Sequence, residues 1–549
     1  MRNWLVLLAA MIAAPGAAQQ PAPAPPPKLL VVISVDQFSA DLWDEYRPHF
    51  TAGLARIGSG AAFRNGYQSH AATETCPGHS TILTGDHPSR TGIIANNWID
   101  QGVKRSDVSV YCAEDETVPG SSSSAYTVSP AHLLVPTLGE LMKVARPGSR
   151  NVAVAGKDRA AVMMTGHKAD QRWYWTGQKF ETDLKSAGVP KTIVQANASI
   201  AKALLEYRQP MTAPAFCQGK ARPVAIQNSE KTVGAGLFAR NAEDQAAFRA
   251  SPELDGDTLA VAAGLIDELQ LGRGSDPDVV AISLSATDYV GHTYGTEGEE
   301  MCLQLLELDR EIGDFLALLD SRGLDFAVAL TADHGGLDIP ERMQLAGVKD
   351  AARVDPGLAA GTIGLKLANR LGISGFGLIG ESAFGDMYID RNLSAKDQKR
   401  MLTAAVAAYK AHPQVAAVFT ADQLKATPVA TTPPTQWSPI QRARASFYPG
   451  RSGDFVVLLK PDITPISDAS RYVATHGSAW DYDRRVPVLF WRKGMAAAPS
   501  DAVIETTDIM PTLAAWLGLR LAPGSVDGHC LPTVALCSAT PVARTERGR

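Results

Sequence analysis

Six separated stretches of the chain carry residue types that bind divalent metals or attack phosphorus. The richest is Thr73-Glu74-Thr75-Cys76-Pro77-Gly78-His79-Ser80, in which Thr75 stands at the mouth of an expected helix. Pro77 suits the first helical position and Gly85 a C-terminal stop. A helix starting here aims free N–H groups and the positive end of its dipole at whatever Thr75 attacks, a natural seat for a phosphate. Taken alone, the octapeptide reads equally well as a helix cap, because a threonine hydroxyl is a weak nucleophile until something stabilises its alkoxide. The rest of the set turns the reading.

Asp288 and His292 are four apart and fall on one face of a helical turn, a spacing that can chelate one ion. Asp36 closes an apolar run, Asp333-His334-Gly335-Gly336 sits where another such run becomes a glycine-rich loop, and His476-Gly477-Ser478 supplies a third imidazole. Mixed His/Asp donors without thiolate suit zinc, and two ions can clamp the attacking and the leaving oxygen of an in-line displacement. Thr75 is therefore the expected catalytic residue. Asp36, Thr75, Asp288, His292, Asp333, His334 and His476 are the expected ligands of two Zn2+.

Two further fragments bear on which ester is cleaved. Asn96-Asn97-Trp98 lies downstream of Thr75, and Gly156-Lys157-Asp158-Arg159 places two cations at the end of an apolar strand. A terminal phosphate carries up to two charges and three non-bridging oxygens, so it gains from a Lys point charge and an Arg fork. A diester has one charge and a second substituent that this cluster would crowd. Lys157 and Arg159 are therefore read as favouring small phosphate monoesters, with Asn96 grouped in the same cluster.

These residues need a frame that delivers them to one place. Leu29–Val35, Asp278–Leu284 and Phe326–Thr331 are continuous apolar runs, as expected for strands buried on both faces. Each leads into candidate ligands. Between them Met301, Leu305, Leu308, Ile312, Phe315 and Leu319 repeat at helical spacing, and a further helix is expected within 506–519. The expected architecture is a layered α/β sandwich, a central largely parallel sheet flanked by helices, with ligands beyond the carboxyl ends of the strands. Residues 28–540 are read as one catalytic domain, with insertions or cap segments at about 166–256 and 338–470.

The chain has 549 residues, 45% hydrophobic and 20% charged, which excludes disorder as the default. A net charge of −5 and the lack of any long basic tract argue against a nucleic-acid-binding module. Residues 1–18 have the basic, apolar and small-residue parts of a secretory signal peptide, with an apolar run too short to span a bilayer, and 19–27 form a Pro-rich leader. A periplasmic or secreted protein without a stable membrane anchor is expected, as a monomer. Export permits disulfides, and the six cysteines are an even set; Cys530 and Cys537 form the easiest pair, while the full pairing stays open.

The ordered set Val-Asp36-Gln, Thr75-Cys-Pro-Gly-His, Asn96-Asn-Trp, Gly-Lys157-Asp-Arg159, Asp288-x-x-x-His292, Thr-Ala-Asp333-His334-Gly and His476-Gly-Ser resembles the alkaline phosphatase superfamily. Within it, the chain is similar to the single-chain, threonine-nucleophile zinc phosphatases of the PhoK and PafA type, from Val31 to about Leu519. The resemblance implies that Asp288, His292 and His476 hold one zinc, that Asp36, Asp333, His334 and the Thr75 oxygen surround the other, that Asn96, Lys157 and Arg159 bind the non-bridging phosphate oxygens, and that catalysis passes through a phosphothreonine. The Cys76-Pro77 pair lacks the arginine of a sulfatase motif. Nucleotide pyrophosphatase/phosphodiesterases share the Thr and the six Asp/His ligands, so a phosphodiesterase is the alternative, and a metal-stabilised protein of the cell envelope without catalysis is the reading from another class.

Overall fold

A computed structural model describes residues 25–185, 188–535, 537 and 541–542. The expected signal peptide lies outside the described residues. The main sheet has nine strands: β1 (Leu29–Val35), β2 (Ala61–Tyr67), β3 (Asn151–Ala155), β4 (Gln171–Trp175), β5 (Phe180–Glu181), β6 (Asp278–Leu284), β7 (Phe326–Thr331), β8 (Arg485–Arg492) and β9 (Ala498–Glu505). Their order across the sheet is β9-β2-β8-β7-β1-β6-β3-β4-β5. The run β7-β1-β6-β3-β4 is parallel throughout, and the antiparallel pairings at β8 and β5 leave those two strands alone running the other way. The α/β expectation holds.

Burial explains the apolar runs. In β1, Leu29, Val31, Ile33 and Val35 join the core on one face, while Leu30 and Val32 join the core on the other. β6 and β7 alternate in the same way, with Ile282 and Leu330 on the first face and Ala281 and Ala329 on the second. Fully burying one such Leu, Ile or Val side chain contributes about 1.5–3 kcal/mol, so a sheet covered on both sides is strongly favoured wherever the chain supplies these runs.

Five helices matter for the site: α1 (Thr75–Thr84), α2 (Asp158–Thr165), α3 (Ala286–Tyr294), α4 (Glu299–Ser321) and α5 (Ile509–Trp516). The expected apolar stripe of α4, Met301 to Leu319, packs on the first face, and Ile509, Met510 and Leu513 of α5 pack on the second.

Within 338–470, four strands, Leu378–Ile379, Gly385–Ile389, Phe455–Leu459 and Val415–Thr420, form a separate sheet. It has its own apolar cluster, which includes Leu367, Met387, Met401 and Phe455. The other stretch taken for an insertion, 166–256, behaves differently at its start, where β4 and β5 extend the main sheet. Disulfides join Cys76 to Cys112, Cys217 to Cys302 and Cys530 to Cys537. Among the described residues, no helix is long and apolar enough to cross a membrane.

Candidate active site

Parallel strands end on one edge of a sheet, and here that edge collects the chemistry. Asp36 follows β1 directly, Asp333 and His334 follow β7, Asp288 and His292 lie on α3 just after β6, and Lys157 caps α2 just after β3. This is the crevice in which open α/β sheets bind ligands. Thr75 is the first residue of α1, which crosses the same edge.

The close approach of α1 depends on a glycine. A Cβ built on Gly78 would stand 2.0 Å from the carbonyl oxygen of Asp333, so only glycine lets the helix that carries Thr75 lie against the Asp333–His334 loop. His79 locks the two together. Its Nδ1 lies 2.9 Å from the Thr75 carbonyl oxygen and 3.2 Å from Asp333 Oδ2, while its Nε2 lies 3.1 Å from Ser283 Oγ.

The helix mouth differs from expectation in one respect. The N–H of Cys76 donates to Asn96 Oδ1 at 2.9 Å, and Pro77 has no N–H to offer. The first turn therefore does not present a row of free amides. With its carbonyl oxygen occupied, Asn96 has its side-chain NH2 available to an anion. Asn96 is itself placed by its backbone N–H, which donates to Glu74 Oε2 at 2.6 Å, and the Cys76–Cys112 disulfide braces the same turn.

Arg159 Nη2 donates to Thr75 Oγ1 at 3.3 Å, and its Nη1 reaches Tyr111 Oη at 3.5 Å. The Tyr111 hydroxyl donates in turn to Asp158 Oδ1 at 2.7 Å, so a phenol and a carboxylate steer the guanidinium. Lys157 is 3% exposed, and its Nζ lies 2.5 Å from Asp36 Oδ2 and 2.6 Å from Asp288 Oδ2.

The three imidazoles share one arrangement. Nδ1 of His292, His334 and His476 each faces a backbone carbonyl oxygen, those of Ala474, Gly335 and Thr73, at 2.8 Å. An Nδ1–H donated to a carbonyl fixes the tautomer that presents a bare Nε2, the usual outer contact of a metal-binding histidine. Those Nε2 atoms converge on the carboxylates. His292 and His476 approach Asp288 Oδ1 at 3.2 and 3.3 Å, and His334 approaches Asp36 Oδ1 at 3.4 Å and Asp333 Oδ2 at 3.3 Å.

The donors fit divalent metal. Asp36 Oδ1, Asp288 Oδ1 and His334 Nε2 are buried without a hydrogen-bond partner, which costs heavily unless a cation satisfies them. Two groups have ligand atoms within 4.8 Å of one another: Asp36, Asp333 and His334, and Asp288, His334 and His476. The first matches the expected set. In the second, His334 also falls within reach, beside His292, which is itself close to Asp288, so the side-chain distances allow His334 to serve either group.

Electrostatics agree with a cation-hungry centre. Burial pushes the Asp288 carboxyl up, but His292 and Lys157 outweigh it and hold the group well below its ordinary value. Burial and then the neighbouring Asp36 carboxylate push Asp333 up to about 7. Burial, reinforced by His476, holds His334 well below the ordinary imidazole range, in the neutral form that binds metal.

All the expected site residues thus meet in one buried crevice. His79, Glu74, Tyr111 and Asp158, which position Thr75, Asn96 and Arg159, were not assigned roles from sequence. Only His79 left a trace, being four residues after Thr75 in a helix and so one turn along the same face.

The chain belongs to the type I phosphodiesterase / nucleotide pyrophosphatase family, whose model matches residues 30–479. Within that breadth it is a PhoK/PafA-like member of the alkaline phosphatase superfamily. It is 52% identical to alkaline phosphatase PhoK of a Sphingomonas species over 516 residues, covering 93% of this chain and 92% of that protein. It is 48% identical to alkaline phosphatase PhoD of Zymomonas mobilis over 507 residues, covering 92% and 88%. The crystal structure of alkaline phosphatase PafA superposes with a TM-score of 0.81 at 25% identity, covering 93% of this chain and 99% of that one.

Proposed function

We infer that this protein is an alkaline phosphatase, a phosphate monoester hydrolase, in which Thr75 is the nucleophile and two zinc ions serve as cofactors. The observation that carries the reading is the convergence of Thr75 Oγ1, Arg159 and the buried, unsatisfied Asp and His donors in one crevice. The relatives at about half identity over most of the chain are alkaline phosphatases, and that supports the same substrate class.

Asp36, Asp333 and His334 would hold one ion beside Thr75, and Asp288, His292 and His476 the other. When bound, the ions supply positive charge that favours the Thr75 alkoxide and the departing ester oxygen. The chain does the rest. Asn96 and Arg159 orient the non-bridging oxygens and bind the developing charge more tightly than the ground state, with Lys157 adding a point charge at the same edge. Thr75 gives up its proton to solvent, its oxygen bonds to phosphorus as the P–O ester bond breaks, and the alcohol takes a proton from water. A water then attacks the phosphothreonine, the Thr75 oxygen regains a proton, and orthophosphate leaves.

A phosphodiesterase reading has one observation in its favour, the family model matched by 30–479. The cationic pair at Lys157 and Arg159 favours the monoester. Comparing kcat/KM for p-nitrophenyl phosphate and bis-p-nitrophenyl phosphate decides between them, with Lys157→Ala expected to hurt the monoester more. Chelation should abolish monoester turnover and zinc restore it, and a Thr75→Ala variant that still turns over would remove the assigned nucleophile.

The three disulfides fit an oxidising compartment. A cleaved signal peptide at 1–18, periplasmic or secreted location, a monomeric state and a cap formed by the 338–470 segment complete the proposal.

A further inference from the structure

The crevice does not stop at the phosphate-binding residues. A cleft of about 640 Å³ is lined by Lys157 and Arg159 and also by Arg249, the last residue of the short helix Gln245–Arg249. The half-buried Arg249 guanidinium lies 4.9 Å from the centroid of the Tyr289 ring, which Lys157 Nζ approaches at 5.0 Å. Its Nη2 also donates to Tyr472 Oη at 3.4 Å, and Tyr472 stacks on His292 with ring centroids 4.7 Å apart. Arg249 therefore touches the ring of Tyr289, next in sequence to Asp288, and the hydroxyl of Tyr472, whose ring stacks on His292.

Its charge has no counterpart. Among the described residues the partners of Arg249 are these two tyrosines and no carboxylate. The acids of the cleft are engaged elsewhere. Asp158 accepts from Tyr111 and Tyr126, Asp183 holds Arg172, and Glu181 pairs with Lys179. A guanidinium resting on one aromatic face, tethered to a phenol, partly desolvated and still carrying free N–H donors, is prepared for a planar or tetrahedral anion. Its two tyrosine partners adjoin Asp288 and His292, the residues assigned above to the second ion, so Arg249 is placed on the side of the departing oxygen.

We propose that Arg249 receives a second phosphate group on the leaving side of the substrate, so that the protein favours terminal phosphates whose leaving group itself carries a phosphate, as in the terminal anhydride of nucleoside diphosphates. This rests on the phosphomonoesterase reading above. Arg249 acts here as a specificity-determining residue contributed by a segment that supplies none of the metal ligands.

The test is kcat/KM for ADP and for AMP in the wild type, Arg249→Ala and Arg249→Lys, with p-nitrophenyl phosphate assayed in parallel. Loss of a charge-assisted contact should lower the ADP-to-AMP ratio roughly tenfold in Arg249→Ala, with partial recovery in Arg249→Lys. If Arg249 merely clamped the two tyrosines, both substrates would suffer in proportion and the ratio would stand, which overturns the proposal. A wild type active on p-nitrophenyl phosphate with a ratio indifferent to Arg249 sinks this inference alone. A wild type inert toward p-nitrophenyl phosphate sinks the phosphomonoesterase reading together with it.

Discussion

Arg159 Nη2 reaches Thr75 Oγ1 itself, at 3.3 Å, so one guanidinium touches the oxygen proposed to attack and is free to reach a phosphate bound there. A side chain in that position binds the same charge in the transition state that forms between them. Arg159→Ala should lower kcat/KM for p-nitrophenyl phosphate roughly a hundredfold or more, by analogy with the loss of one preorganised donor to a developing anion. Arg159→Lys keeps a charge but loses the fork and should recover only part of the rate. A variant within about threefold of wild type would show that Arg159 does not bear on the transition state.

Gly78 offers a sharper stability test because two effects oppose each other. In an unobstructed helix, replacing Gly by Ala gains about 1 kcal/mol of propensity. Here the new methyl would meet the Asp333 carbonyl oxygen at 2.0 Å, a backbone atom that cannot rotate away. The clash should win, giving net destabilisation of about 1–3 kcal/mol and a displaced Thr75, measured by urea unfolding and by turnover. A Gly78→Ala variant more stable than wild type would contradict the packing of α1 on the ligand loop.

Much of this centre was legible because parallel strands leave a strong record. A continuous apolar run such as Leu29–Val35 can be buried on both faces only in a covered sheet, and the polar residue that ends it must then stand on the crevice edge. What stayed hidden depends on contacts between residues remote in sequence. Nothing near Tyr111 indicates that its hydroxyl would pair with Asp158, 47 residues on, and steer Arg159. Gln171–Trp175, with three aromatic residues in five, carries no long aliphatic run, so its place in the main sheet was taken for part of an insertion. Whether His334 serves one donor group or both turns on side-chain distances that spacing cannot supply.

His79 is fully buried and braces Asp333 and the Thr75 carbonyl at once. Outer contacts of this kind typically affect metal affinity or activity by roughly 10- to 100-fold. His79→Ala should therefore need more zinc for half-maximal activity, and high zinc should restore much of the lost rate. Titrating chelated enzyme with zinc checks this. An activation curve superimposable on the wild type would leave His79 a packing residue only.

His87, away from the metal centre, ties stability to alkaline pH. Its Nε2 lies 2.8 Å from Glu505 Oε2 and its Nδ1 3.0 Å from Asp527 Oδ2, and Asp527 is also held by Arg90 Nη1 at 2.6 Å. Burial opposes the charged imidazole, but the hydrogen bonds it donates to Asp527 and Glu505 outweigh it and raise its pKa to about 10 from an ordinary 6.5. A pKa raised on folding contributes stability that is fully present below the unfolded value and fades as pH climbs through the folded one. The protein should therefore lose stability between about pH 7 and about pH 10, by a few kcal/mol at most from this group. His87→Gln, which cannot titrate, should be less stable at about pH 7 and show a flatter decline in urea midpoint above it. Parallel pH profiles for the variant and the wild type would mean that the His87 proton is not bound more tightly in the folded state.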